Sequence, residues 1–236
     1  MKRILLVLAV AVAVLVGAAP AHAVSSGSSR LWSGLVSPGG GYTAVTADVR
    51  VPRVTAGCGA SSNVVVYVGL GGYGSLPFVQ NGITLLPGRG VGVWSEVFDR
   101  AGHTRVTSRN LRVRPGDLVR MSARFSPSKY LLVFSWSNLS LRQTVRQTVT
   151  NAGRYYNGAT ADYVVERSWY PYRGSPLAQY GRVGFSRAYA ERHGHVVPAY
   201  SSSSRVITLR GSGGRALSSV VWARGQSFIT AWRGCR

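Results

Sequence analysis

Val91-Gly92-Val93-Trp94-Ser95-Glu96-Val97-Phe98 alternates along its length, with Trp94, Glu96 and Phe98 on one side and valines on the other. Successive side chains of a strand point to opposite faces, so this pattern marks a half-buried β-strand. Runs of similar kind recur at 42–51, 64–70, 118–125, 130–135 and 144–150, then at 162–166, 182–185, 206–210, 218–223 and 227–232. Turn signals stand between them: Pro38-Gly39-Gly40-Gly41, Gly71-Gly72, Asn81-Gly82, Pro87-Gly88, Pro115-Gly116-Asp117, Asn157-Gly158 and Gly211-Ser212-Gly213-Gly214. Short strands at this spacing, rich in Val, Tyr and Thr, predict an antiparallel sandwich or barrel. Helical periodicity is sustained nowhere; residues 187–192 read at most as one turn. With no internal repeat, residues 31–236 read as one all-β domain of ordinary size.

The N-terminus follows another logic. Lys2-Arg3 precede an apolar run at 4–15, and small residues lead to Ala21-His22-Ala23. Charged start, apolar centre and an A-x-A end describe a secretory signal peptide over 1–23. The run falls short of the ~20 residues that a membrane span requires. Residues 24–30 are rich in Ser and Gly and read as a flexible tail. The mature chain is therefore expected outside the cytoplasm, where Cys58 and Cys235, the only two cysteines, predict a disulfide. Lys and Arg number 28 against seven Asp and Glu, a formal net charge of +21. Such a field attracts polyanions non-specifically. No RNP, helix-turn-helix or zinc-finger pattern accompanies it, so no dedicated nucleic-acid site is expected. His103, His193 and His195 lie in polar segments with no Cys or acid at ligand spacing, so neither a metal nor another cofactor is expected.

Catalytic equipment is sparse. Of three glutamates, Glu166 ends the run Ala161-Asp162-Tyr163-Val164-Val165-Glu166, where Asp162, Val164 and Glu166 share a face. Gln80 closes the apolar stretch Leu76-Pro77-Phe78-Val79-Gln80, just before Asn81-Gly82. Val65, Tyr67 and Gly69 share a face of another run. If these faces adjoin, Gln80, Glu166, Glu96, Trp94 and Tyr67 meet over a peptide-sized cleft. A carboxyl group there can move protons to and from a reacting water, and a primary amide can stabilise the developing oxyanion. No G-x-S-x-G elbow offers a serine nucleophile.

In order along the chain, Trp32-Ser33-Gly34, Val49-Arg50-Val51-Pro52, Tyr67-Val68-Gly69-Leu70-Gly71-Gly72, Val79-Gln80-Asn81-Gly82, Trp94-Ser95-Glu96, Pro115-Gly116-Asp117 and the run 161–166 resemble the motifs of the glutamic peptidases, the eqolisin family. Leu177-Ala178-Gln179-Tyr180 and Gln226-Ser227-Phe228 resemble weaker, later elements. The resemblance spans essentially the whole mature chain. It implies a single-domain antiparallel β-sandwich of the concanavalin A-like lectin and glucanase type. It also implies a monomeric acid endopeptidase acting on polypeptides, with Glu166 as general acid/base and Gln80 as oxyanion stabiliser. Tyr67, Trp94, Glu96 and Asp162 then support the pair or line the substrate cleft. Several positions depart from the family pattern: Gly71 replaces an Asp, Tyr67 a Trp and Asp162 a Glu, and Arg167 stands where an acid is common. These changes act to lower the Glu166 pKa while burial acts to raise it, and an acid-side activity optimum is expected. Only residues 24–30 can stand in for the family's pro-segment. Two rival readings use the same architecture. One is a non-catalytic cationic sandwich that binds glycans or acidic envelope polymers. The other is a glycoside hydrolase built on Glu96 and Glu166.

Overall fold

A computed structural model describes residues 24–168 and 175–235, and the segment expected to be a signal peptide lies outside them. Sixteen strands follow in chain order: β1 (Ser25–Ser29), β2 (Trp32–Pro38), β3 (Tyr42–Arg50), β4 (Val64–Leu70), β5 (Phe78–Leu86), β6 (Gly90–Phe98), β7 (Thr104–Arg109) and β8 (Leu118–Ser126). The second half comprises β9 (Leu131–Asn138), β10 (Gln143–Val149), β11 (Thr160–Glu166), β12 (Arg182–Arg192), β13 (His195–Pro198), β14 (Arg205–Arg210), β15 (Ala216–Arg224) and β16 (Ser227–Trp232). One 3-10 turn, Ala152–Tyr155, is the sole helical element among the described residues.

Hydrogen bonding links the strands in the order β10-β9-β8-β3-β12-β16-β15-β14-β2-β11-β4-β5-β6-β7. The path folds back on itself to give two layers. A front layer runs from β14 to β7, a back layer from β10 to β15, and the core lies between them. The expected antiparallel sandwich is what forms. Its interior is supplied by alternate positions, among them Leu35, Val66, Val68, Ile83 and Tyr163 from the front and Phe134, Trp136, Met121, Phe185 and Phe228 from the back. The aliphatic, methionine and phenylalanine side chains among them contribute roughly 1.5–3 kcal/mol each when taken fully out of water. Strand β4 is buried on both faces, which explains its near-continuous apolar run.

Three local expectations are corrected. Asn81-Gly82 is no turn, because β5 passes straight through it. Asn81 faces the core, fully buried, and donates through Nδ2 to the Ser122 and Ser135 carbonyls of the opposite layer at 3.1 and 3.2 Å. A polar residue that finds partners inside can stay in a strand despite its turn propensity. Residues 24–30 are not a loose tail: β1 pairs in parallel with the otherwise open edge of β14, from Ser25↔Arg205 to Ser29↔Leu209. Backbone pairing on a free edge is indifferent to side chains, which is why Ser/Gly composition did not signal it. Residues 187–192 make no helical turn. They continue β12 past an irregularity at Arg187, whose φ is 45°. The expected Cys58–Cys235 disulfide is present, with Cα atoms 5.1 Å apart.

Candidate active site

All six residues singled out from the sequence fall on one face of the front layer, the face turned away from the core. Register fixes this. In one row Asp162 stands opposite Gly69, Gly69 opposite Gln80, and Gln80 opposite Glu96. In the next, Val164 stands opposite Tyr67, Tyr67 opposite Gly82, and Gly82 opposite Trp94. A third row holds Trp32, Glu166 and Val65. Directly opposed residues share a face, so the stretches that had to adjoin do so.

Val65, Tyr67 and Val164 form a small apolar floor, with Trp32 and Trp94 packed against it. Two glycines keep this floor open. A Cβ at Gly82 would lie 2.5 Å from the Val66 carbonyl oxygen, 2.7 Å from the Tyr67 Cβ and 3.0 Å from the Trp94 ring. At Gly69 it would approach the Val79 carbonyl oxygen at 3.0 Å, on the line between Asp162 and Gln80. Trp94 is a wall of the trough: its indole lies 6.3 Å from the Tyr67 ring, and its Nε1 donates to the Thr84 hydroxyl at 2.9 Å. Across the trough, Trp32 meets Tyr73 edge-on at 5.8 Å, and Arg205 lies over Tyr73 at 5.4 Å. Phe78 and Phe98 stack beside Gln80 on neighbouring strands, 3.9 Å apart.

Gln80 is held rigidly. Its Nε2 donates to Glu96 Oε2 at 2.7 Å, and the other Glu96 oxygen accepts from the Thr104 hydroxyl at 2.6 Å. Glu96 thus orients the amide with its donor end fixed, leaving a second N–H and Oε1 for another partner. Glu166 is partly buried at the end of β11. Burial pushes its carboxyl up to about 8; the Tyr67 hydroxyl beside it draws it down, and the charge of Glu96 pushes it up. The opposing influences foreseen for Glu166 thus resolve in favour of burial. Arg167 turns to other neighbours: its amide bonds the Leu31 carbonyl, and its guanidinium is disfavoured by burial and by Arg30. Asp162 is 4% exposed, its Oδ1 has no partner, and burial holds its carboxyl well above the usual carboxylate range.

Thr104 was missed by sequence reasoning because residues 104–109 carry no apolar alternation, yet they form edge strand β7. Trp32 was noticed only as part of a motif. Tyr73 and Arg205 become neighbours of the site only through the β14–β2 pairing and the loop after β4. Among the described residues, no group of three or more His, Cys, Asp or Glu could hold a metal ion. With both oxygens committed, Glu96 is a poor second carboxylate for glycoside cleavage. A cavity of about 880 Å³ opens on the back layer, far from these carboxyls. The two carboxyls raised by burial, Glu166 and Asp162, lie in the front trough and not in this cavity.

Comparison with known proteins agrees with this architecture. The sequence model described as the Peptidase A4 family matches residues 30–232. No curated protein matches significantly in sequence. Among solved structures, scytalido-glutamic peptidase with a transition-state analogue inhibitor superposes with a TM-score of 0.74 at 15% identity, covering 86% of this chain and 98% of that one. SCP-B, a member of the eqolisin family in complex with the tripeptide Ala-Ile-His, gives 0.71 at 15% identity over the same shares. Aspergilloglutamic peptidase from Aspergillus niger gives 0.62 at 18% identity, covering 73% of this chain and 99% of that one.

Proposed function

The chain belongs to the peptidase A4 family, the glutamic peptidases, and from that premise we propose that it is a secreted endopeptidase whose working pair is Glu166 and Gln80. The observation that carries the assignment is the amide of Gln80, locked by Glu96 on the same face as a carboxyl raised to about 8. Below that pH Glu166 enters the cycle protonated. Its carbonyl oxygen can take a proton from the attacking water while its O–H passes one to the substrate oxygen. On collapse of the tetrahedral species it gives a proton to the leaving nitrogen and recovers one from the diol. A carboxyl in this role is worth ~10²–10⁴-fold. The free N–H of Gln80 bears on the oxygen where negative charge develops, a contribution of about 3–4 kcal/mol. Glu96, Thr104 and Tyr67 act through these two, by orientation and by charge. The floor of Val65, Tyr67 and Val164 between the two tryptophans offers an extended peptide an apolar bed, consistent with the tripeptide held by SCP-B.

Export rests on the residues at 1–23, and the disulfide suits an oxidising compartment. Among the described residues no helix is long and apolar enough to cross a membrane. The decisive experiment follows peptide cleavage by the purified mature protein across pH, with pepstatin present and absent. Activity insensitive to pepstatin, steady on the acid side, falling above about pH 8 and abolished by Glu166→Gln and by Gln80→Ala is expected. Cleavage that survives Glu166→Gln, or that climbs into alkaline pH, overturns the assignment.

A further inference from the structure

The cavity on the back layer lies on the opposite side of the sandwich from Glu166 and takes no part in the proposed chemistry. Its walls include three exposed arginines, Arg50, Arg53 and Arg182, together with Ile229 and the exposed indole of Trp222, and none of its lining residues is acidic. Trp222 retains 49% of its surface, a large cost for an indole that nothing covers. The carboxylates that flank the lining residues in sequence are already engaged: Asp48 is held by Arg120 in two bonds of 2.6 and 2.8 Å, and Asp117 Oδ2 accepts from the Arg114 amide and from Asn138. Among the described residues these three guanidiniums form no ion pair, and Arg50 donates through Nη1 to the Gly116 carbonyl at 2.9 Å. Gly184 leaves the floor open, with no atom within 4 Å of the place a Cβ would occupy. The trough crosses β8, β3, β12, β16 and β15, roughly 20 Å at the usual strand spacing.

We infer that this trough is a binding site for an anionic polysaccharide whose sugars carry carboxylates. Planar guanidinium forks match carboxylates in paired hydrogen bonds, and a flat indole face beside Ile229 suits the apolar face of a sugar ring. The floor strands are interior to the sheet, where their backbone groups pair with neighbouring strands. An acidic polypeptide cannot add there as a further strand, so recognition has to come from charge and stacking, which favours a stiff chain of rings. Such a site tethers the protein to an acidic polymer while the front trough stays open.

Calorimetric titration of the full mature protein with oligogalacturonate tests this, with a neutral oligosaccharide of equal length and poly-glutamate as comparisons. Oligogalacturonate is expected to bind, the neutral chain not to bind, and poly-glutamate to bind more weakly. The triple variant Arg50→Ala/Arg53→Ala/Arg182→Ala should weaken binding by roughly tenfold or more, and Trp222→Ala should weaken the oligosaccharide but not the polypeptide. Thermal melting checks that each variant folds, and a shift of the Trp222 indole N–H resonance on titrating the unmodified protein needs no variant at all. Equal affinity for poly-glutamate would assign the trough to acidic polypeptides and overturn the proposal. So would an indole resonance that does not move, or a folded triple variant that binds as the parent does. Binding is read without any cleavage, so the result stands apart from the assignment of Glu166 and Gln80.

Discussion

Gln80→Ala separates the chemistry from the scaffold because its two costs differ greatly in size. Gln80 is 7% exposed, and its side chain is held by the 2.7 Å bond to Glu96. Truncation costs that bond, yet Glu96 keeps Thr104 at 2.6 Å and water can enter from the trough. The stability loss is therefore about 1 kcal/mol, equivalent to about 3 °C in Tm for a domain of this size. The rate loss is much larger. Removing a donor aimed at an oxyanion lowers kcat by ~10²–10³, and because that charge develops only after binding, KM should scarcely change. Steady-state kinetics on a fluorogenic peptide in mildly acid buffer, paired with a melting curve, reads both quantities. A kcat within tenfold of the parent would falsify the oxyanion role. A loss confined to KM would reduce Gln80 to a substrate contact.

Glu96→Gln removes a like charge near Glu166, so its carboxyl should fall and the alkaline decline of kcat/KM should move to lower pH. Tyr67→Phe removes the hydroxyl that favours the charged form, so the same decline should move to higher pH; shifts in one common direction contradict this electrostatic account. Gly82→Ala places a methyl group against Val66, Tyr67 and Trp94, with an overpacking cost of roughly 1–3 kcal/mol. A measurable drop in both Tm and kcat/KM should accompany it, and unchanged kinetics would mean that the two rings do not line the substrate path. The Cys58–Cys235 bridge spans a sequence separation of 177, worth about 5 kcal/mol in the chain-entropy picture. Scanning calorimetry after reduction should show Tm lower by roughly 10–20 °C, and a change of only a degree or two refutes that estimate.

Alternation made most strands readable in advance, because each buries one face and exposes the other. Residues 64–70 and 227–232 were read at their observed bounds. It also put Trp94 and Glu96 on one face of their strand and Asp162 and Glu166 on one face of theirs, and strand pairing merges the two into a single face of the sheet. What periodicity lacks is cross-strand adjacency. The closeness of Gln80 to Glu96 depends on β5–β6 register, and that of Tyr67 to Glu166 on the β11–β4 pairing. The edge strands β1 and β7 went unread for a different reason: their pairing runs through the backbone, and their polar side chains carry no signature. Asn81-Gly82 misled because both residues favour turns locally. Here one is claimed by carbonyls across the core and the other by the rings above it. The direction of the Glu166 shift likewise depended on burial, which composition alone does not reveal.

Strand β5 sets two amides back to back, Gln80 outward over the trough and Asn81 inward to the carbonyls of the other sheet. Sliding the strand by one position would exchange them, aiming the shorter side chain at substrate and forcing the longer one among packed side chains. Inserting or deleting a single residue between Phe78 and Gln80 should therefore abolish activity and loosen the sandwich in one stroke. On the proposed assignment one dipeptide serves both reactivity and architecture, and a shift in either would carry the other with it.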